Sequence, residues 1–564
     1  MEFIQKKTAD RAVEHFLMKA VDQEILTAWD RYEGQLPECG FCESGLSCRD
    51  CLQGPCISHP FRNDSKIGVC GKNKDVLAAQ SLLRLVLKGT MAQLDQVSDF
   101  VKAVASGEIE IKDKDAAGQI LKDINGLLDN GETEAAKAIP EVIVAGWEKA
   151  GVLPQGVARD IFKAAQKMEG GVSGGEEILL WAVKCALLGC AADALGRKLQ
   201  GAVFGEIAPT GVDVNLGVIR KDQPNILIYG PVSPALKKLV IEKAKENNIN
   251  VMGVCTDPLL PPYTISPVSN YGSQDIPLMT GAVDLIVVGD QFVNPSLAGV
   301  AKDWKVKIVS VNGIKPSGSL SDFAGEIVKK ARDTFGLRTD VPKDIPDAKK
   351  SAVMGHSPRS LDIKKIVDAL NAGTIKGIAV FSGSNNVKFT QDNEFTAMAE
   401  AFLKKDILCI SEGEASVCLA KYGYLTPGEE KECGQGVKGL LGSLGDNVPA
   451  VIDCNAVDFM VTLAGIENKA LSEYPIAACF AEANRSAEVA KAMAFVSMGV
   501  STYFWPCLPV TGSPKTMGAL TDFFREAFGG RLHVVTAKID APAKAELFIK
   551  AITSPPSMSG KSWQ

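Results

Sequence analysis

Along roughly the first 220 residues the apolar positions recur with the 3.6-residue period of amphipathic helices. Within 8–30, Val13, Phe16, Leu17, Ala20, Val21 and Ile25 gather towards one face. A helix is expected over 75–88, carrying Val76, Leu77, Leu82, Leu83 and Val86. Further helices are expected over 92–106, 115–130, 134–150, 156–168 and 176–200, punctuated by glycine-rich breaks such as Gly170-Gly-Val-Ser-Gly-Gly175. The most apolar long run, 178–195, contains Lys184 and Asp193, so it reads as a buried helix rather than a membrane span.

From residue 225 the period changes. Short apolar runs at 226–229, 251–254, 285–288 and 306–309 alternate with amphipathic stretches. A second series follows at 378–381, 407–410, 450–452, 475–478, 502–504 and 532–535. Alternation of this kind implies parallel sheets with helices on both faces. The expected fold is α/β: an all-helical domain over 1–222, then two parallel α/β units over 223–365 and 366–564. The Pro/Asp/Lys-rich segment 339–350 lies near their junction. The stretch Gly434-Gln-Gly-Val-Lys-Gly439 matches a dinucleotide fingerprint in letters only, because it follows the charged run Glu429-Glu-Lys-Glu-Cys433 rather than a strand.

Ligands of open parallel sheets gather beyond the carboxyl ends of the strands. Those positions here are Gly230-Pro231, Cys255, Asp290 with Phe292, Ser382 to Ser384, Glu412 to Glu414, Cys454 and Cys507.

Composition narrows the function. The chain has 564 residues, 46% hydrophobic and 23% charged, enough for two to four domains with large cores. A formal charge of −6 and the lack of a Lys/Arg block argue against nucleic acid as a partner. The opening residues show no signal-peptide core, and fifteen cysteines without one imply a reducing, anaerobic cytoplasm. Only four histidines limit imidazole chemistry.

Six of those cysteines fall between Cys39 and Cys70. The run Cys48-x2-Cys51-x4-Cys56-x13-Cys70 places four thiols on a path rich in Gly and Pro, able to wrap a soft metal centre. A zinc ribbon on Cys39, Cys42, Cys48 and Cys51 is an alternative, although it strands Cys56 and Cys70. A disulfide framework needs a secreted chain.

The stretch Pro37-Glu-Cys-Gly-Phe…Gly-Leu-Ser-Cys-Arg-Asp-Cys-Leu-Gln-Gly-Pro-Cys…Gly-Val-Cys-Gly resembles the amino-terminal signature of the anaerobic nickel–iron carbon monoxide dehydrogenases, of the carbon monoxide dehydrogenase and hybrid-cluster superfamily. The similarity continues through Asn215-Leu-Gly-Val218, Thr280-Gly-Ala-Val-Asp284, Pro295-Ser-Leu297, Asn385-Asn-Val387 and Pro509-Val-Thr-Gly-Ser-Pro514. The resemblance implies a helical domain followed by two Rossmann-like domains. It implies a [4Fe–4S] cluster on Cys48, Cys51, Cys56 and Cys70, and a homodimer sharing a second cluster across its axis. The first ligand of that shared cluster matches Cys39, and the usual second position reads Ser47. Cys42 supplies a closer thiol, so the interfacial cluster is expected as [2Fe–2S] or [4Fe–4S].

The family's nickel–iron cluster, held by one histidine and five cysteines at strand ends, is carried over poorly. The histidine's place reads Pro231-Val232; cysteines survive as Cys255 and Cys454; the other places read Phe292, Ser384 and Glu414. The family's proton-carrying histidines fall on Gln93, Gln96, Asp99 and Lys102, and its active-site lysine falls near Ala487. Ser, Phe and Glu do not replace soft thiolates, so nickel and CO oxidation are not expected. Cys185, Cys190, Cys409, Cys418, Cys433 and Cys479 read as core packing, with Cys507 the exception because it ends an expected strand.

The expected function is an iron–sulfur oxidoreductase whose third site has been rebuilt. Cys255, Cys454, Glu414 and either Ser384 or Cys507 then form a mixed oxygen/sulfur metal site or an open substrate pocket. Glu414 serves there as a general acid with a carboxyl raised by desolvation, or only as a salt-bridged helix cap. The alternatives are a non-catalytic electron-relay dimer and a genuine carbon monoxide dehydrogenase. The expected partners are a second copy of the chain and a ferredoxin-like redox protein.

Overall fold

The computed structural model describes residues 6–60, 66–129, 137, 139–169, 172–289, 291–311, 318–338, 344–535 and 539–553. Asp290, Gly170 and Gly171 of the glycine-rich break, and 339–343 of the expected junction lie outside these residues.

The two longest helices, Lys74–Ala105 and Gly175–Phe204, pack against each other and anchor the helical layer. By length and hydropathy alone Gly175–Phe204 is able to cross a membrane, but 78% of its most apolar window is buried inside the protein. It is apolar all round because helices cover it all round. Asn73 opens Lys74–Ala105, accepting from the amides of Asp75 and Val76.

The expected break between 88 and 92 is absent, and one helix runs through it. Gly89 serves packing instead. A Cβ there would meet the carbonyl oxygen of Ser486 at 2.3 Å and Ala487 Cα at 2.8 Å, so only glycine admits that approach. The stretch 8–30 is correspondingly not one helix but two, Arg11–Asp22 and Ala28–Glu33, with Thr27 and Asp30 forming a capping box between them. Val13, Phe16 and Trp29 join the core of the first sheet with Leu227 and Tyr229, so this end of the chain packs outside the helical layer.

The first sheet has five parallel strands in the spatial order Lys307–Ser310, Leu285–Val288, Asn225–Tyr229, Asn250–Val254 and Ser266–Ser269. The second has six, in the order Val451–Asp453, Ile407–Ser411, Gly377–Gly383, Ile476–Ala481, Ser501–Phe504 and Leu532–Val534, again parallel throughout. Counted along the chain, the second sheet has the doubly wound 3-2-1-4-5-6 arrangement and the first its five-stranded version. The central strands are apolar on both faces because helices cover both.

Each sheet therefore has a switch point where connections depart in opposite directions. In the first it lies between the ends of Asn225–Tyr229 and Leu285–Val288; in the second, between Gly377–Gly383 and Ile476–Ala481. A further antiparallel ladder, Thr210–Val214 with Lys350–Met354, ties the approaches to the two sheets together.

The glycines of 434–439 sit at the other edge. Helix Gln435–Leu444 starts there, and a Cβ on Gly434 or Gly436 would strike Asp406 or the Thr374 carbonyl, which precede the strands Ile407–Ser411 and Gly377–Gly383. That is the amino end of the sheet, away from where ligands gather.

Candidate functional site

The cysteine loop folds on a two-residue ladder in which Ser47 pairs with Ile57 and Cys48 with Cys56. Cys48, Cys51, Cys56 and Cys70 line one small recess together with Gly54, Gly68, Lys72 and Leu77. The amide of Val69 donates to Cys56 Sγ at 3.5 Å, the kind of bond that steadies a thiolate ligand. A Cβ on Gly54 would press on Cys56 N and Cys48 O at 3.2 and 3.4 Å, so the loop closes only with glycine there. Among the described residues no three His, Cys, Asp or Glu side chains converge as they would on a single ion.

Cys39 precedes the short helix Gly40–Glu43, and both Cys39 and Cys42 are exposed. The backbone amide of Cys42 and then its thiol hydrogen-bond to Cys39 and lower its pKa. Cys507 lies beside this loop rather than at the strand-end pocket. Its Sγ is 3.4 Å from Glu43 Oε1, and Lys388 bridges Glu38 and Glu43 at 2.8 and 2.9 Å. Burial, and then the charge of Glu43, push the Cys507 thiol up to about 12. The chain leaves strand Ser501–Phe504 through Trp505-Pro506, which carries Cys507 away from the cavity.

Both switch points open into a single cavity of about 970 Å³ between the helical layer and the two sheets. Pro231, Val232, Cys255 and Phe292 line it from the first sheet; Ser382, Glu412, Glu414, Cys454, Arg485 and Ala487 line it from the second. Gln93, Gln96, Asp99 and Lys102 face it from one side of helix Lys74–Ala105.

Cys255 and Phe292 both leave their strands with positive φ, +54° and +62°. Gln274 holds the two turns together: its Nε2 donates to the Phe292 carbonyl at 2.6 Å and lies 3.7 Å from Cys255 Sγ. Glu414 is the second residue of helix Gly413–Lys421, yet it accepts the amide of Tyr271, which follows the edge strand of the first sheet, at 2.9 Å rather than capping its own helix. Burial raises the Glu414 carboxyl, opposed by Arg485, and burial holds the Cys255 thiol well above the usual thiol range. After burial, the charge of Glu414 is the next cause that raises the Cys255 thiol.

Arg485 covers the Phe292 ring at 4.2 Å and approaches Tyr271 at 5.8 Å, while pairing with Glu488 at 3.2 Å. Glu412 is held by Lys491 at 2.7 Å, the Ser382 hydroxyl at 2.9 Å and the Ala456 amide at 3.1 Å. Cys454 is fully buried and its backbone pairs with that of His356 in a single parallel β-bridge; burial pushes the His356 imidazole down to about 4.

The structure thus sets Cys255, Glu414 and Cys454 on the walls of one cavity. It does not bring in Ser384, which is wholly buried behind the wall and accepts from Asn484 Nδ2 at 2.9 Å. Gly383, at φ +107°, turns the chain after Ser382 and sends Ser384 away.

Sequence reasoning missed Arg485, Lys491 and His356, whereas Glu412 was among the expected strand-end positions. Lys491 stands one helical turn beyond Ala487, and Arg485 immediately precedes helix Ser486–Ser497; position just after a strand end was the available signal.

A model described as the Prismane/CO dehydrogenase family matches residues 46–538. Carbon monoxide dehydrogenase 2 of Carboxydothermus hydrogenoformans is 28% identical over 635 aligned residues, spanning 99% of this chain and 99% of that protein. Among solved structures, carbon monoxide dehydrogenase IV of Carboxydothermus hydrogenoformans superposes with a TM-score of 0.90 at 27% identity, covering 99% of this chain and 100% of that one. A nickel-free carbon monoxide dehydrogenase from Thermococcus sp. AM4 superposes with a TM-score of 0.87 at 25% identity, covering 98% of each chain.

Proposed function

Because the chain belongs to the Prismane/CO dehydrogenase family, we propose that it is an iron–sulfur oxidoreductase, working as a homodimer, that transforms a small molecule other than CO. Cys48, Cys51, Cys56 and Cys70 hold a [4Fe–4S] cluster in each chain, and Cys39 with Cys42 hold one side of a cluster shared with a second copy. These groups supply one-electron transfer. A ferredoxin-like protein exchanges electrons with them.

One observation carries the reading: where the family resemblance places thiolate ligands, Phe292 lies under Arg485, and the buried Glu414 occupies another such place. A phenyl ring donates no lone pair, and its face is occupied by a guanidinium. Nickel is not part of this proposal. The cavity instead offers a proton donor: Glu414 is driven towards its neutral form by burial, and the Tyr271 amide holds it in place. Arg485 and Lys491 hold positive charge at the wall while Glu488 and Glu412 balance it, so the cavity stays polar without a net field from those pairs.

The exposed Cys39–Cys42 loop supports a second reading, an electron relay whose cavity binds nothing. Anaerobic purification followed by iron, sulfide, zinc and nickel analysis, with anomalous diffraction to place the metals, tests the cluster assignment. Iron and sulfide at the four-cysteine recess, without stoichiometric nickel, are expected. Zinc at ~2.3 Å from those sulfurs overturns it.

A further inference from the structure

Helix Pro234–Glu246 begins at the switch point of the first sheet and opens on the cavity. Pro234 has no amide hydrogen, and the first intrahelical bond is from Lys237 N to Ser233 O at 3.0 Å. The amides of Ala235 and Leu236 therefore lack an intrahelical acceptor. Neighbouring helix starts are served by the protein's own carboxylates: Glu412 accepts from Ala456 N at 3.1 Å, and Glu488 accepts from Arg485 N at 3.0 Å. Here Ser233 occupies the cap position without making a side-chain cap bond.

Three further groups point to a missing partner. Ser233 Oγ is buried without a hydrogen-bond partner. Lys237, on the first turn, is only 3% exposed; its ammonium has Thr256 Oγ1 at 3.4 Å and Asp257 at 3.8 Å, and the Asp257 side chain is 76% exposed. His356 lines the same cavity at 5% exposure, with Nδ1 unpartnered. It belongs to the same neighbourhood, since a Cβ on the preceding Gly355 would lie 2.1 Å from Leu259 Cδ1. A buried ammonium beside open helix amides, with one solvated carboxylate at long range, is under-compensated.

We propose that this end of the cavity binds an oxyanion, the carboxylate or phosphoryl group of the small-molecule substrate. Lys237 and the amides of Ala235 and Leu236 hold it, Ser233 caps it, and His356 closes the opposite wall as a neutral imidazole. The assignment rests on reading the cavity as a substrate pocket and adds the substrate's chemical class. It sets the anionic end of the substrate on the first sheet, and leaves the reacting end towards Cys255 and Glu414.

Calorimetric titration of the full-length protein with inorganic phosphate and, separately, with acetate tests this without any turnover. Metal content, measured on the same preparation, reports separately on the cluster assignment. Binding of at least one anion in the millimolar range is expected, weakened roughly tenfold or more in Lys237→Met and less in Ser233→Ala. Lys237→Met keeps an unbranched apolar stem without the ammonium, and unchanged circular dichroism shows that it folds. Tighter phosphate identifies a phosphoryl group; tighter acetate identifies a carboxylate. No binding of either anion at about 50 mM, or unchanged affinity in folded Lys237→Met, overturns the proposal.

Discussion

Arg485 and Phe292 form a cation–π pair with the guanidinium carbon 4.2 Å from the ring centroid, at the position where the family resemblance places a cluster thiolate. The ring is held from behind by the Gln274 bond to its carbonyl, and Arg485 is held by Glu488. Neither side is free to withdraw cheaply. The protein is therefore expected to give no CO-dependent reduction of viologen, at any nickel concentration. Phe292→Cys alone is expected to stay inactive, because Glu414, Ser384 and Pro231 still replace ligands and Arg485 still fills the space. Robust turnover of the unmodified protein with stoichiometric nickel would show that the ligand positions were misassigned.

Cys39 and Cys42 stand on a four-residue helix at the surface, with Lys388 tying Glu38 and Glu43 on either side. On the proposed assignment these two exposed thiols bind one edge of a cluster and leave the other edge to a second chain. The double variant Cys39→Ala/Cys42→Ala should lose one cluster per dimer by iron analysis and electron paramagnetic resonance, with the four-cysteine cluster kept. An unchanged iron content refutes the interfacial assignment.

His533 stacks on Tyr503 at 4.5 Å between centroids, and burial, then the nearby Arg531, push its imidazole down to about 4. The unfolded chain takes up that proton near 6.5 and the folded chain only near 4. The folded protein thus binds fewer protons in this window, so this group's stability is present above pH 6.5 and is lost as pH falls through 4. His533→Phe keeps the stack and removes the titration. Its denaturation midpoint should fall less than the unmodified protein's between pH 7 and pH 4, by a difference of up to about 3 kcal/mol. Parallel pH profiles for the two proteins would refute this.

Ten strands were legible because parallel strands buried on both faces are short apolar runs, as in Ile226-Leu-Ile-Tyr229. Ser266–Ser269 was not, since an edge strand reading Ser-Pro-Val-Ser carries one strongly apolar side chain. In the site, Cys255 and Glu414 were legible as strand ends. Arg485 and Lys491 were not, because a cation near a helix start looks like solvated surface until the partner sheet covers it. Ser384 misled for a related reason: it is two residues from cavity-facing Ser382, but the left-handed turn at Gly383 breaks the alternation that would have put both on one face.

Gly89 and Gly118 offer a paired test of how the helical layer positions the cavity. Both lie inside helices, where glycine costs about 1 kcal/mol relative to alanine. A Cβ on Gly118 meets nothing within 4 Å, so Gly118→Ala should raise the thermal midpoint by a stabilisation of up to about 1 kcal/mol. A Cβ on Gly89 lands 2.3 Å from the Ser486 carbonyl and 2.8 Å from Ala487 Cα, which are backbone atoms at the start of the helix that Arg485 precedes. The same substitution must push two helices apart, at a cost of roughly 1–3 kcal/mol that outweighs the propensity gain. Gly89→Ala should lower the midpoint, and Gly89→Val should lower it further. Equal behaviour of the two alanine variants would mean that the Lys74–Ala105 helix does not fix the start of Ser486–Ser497.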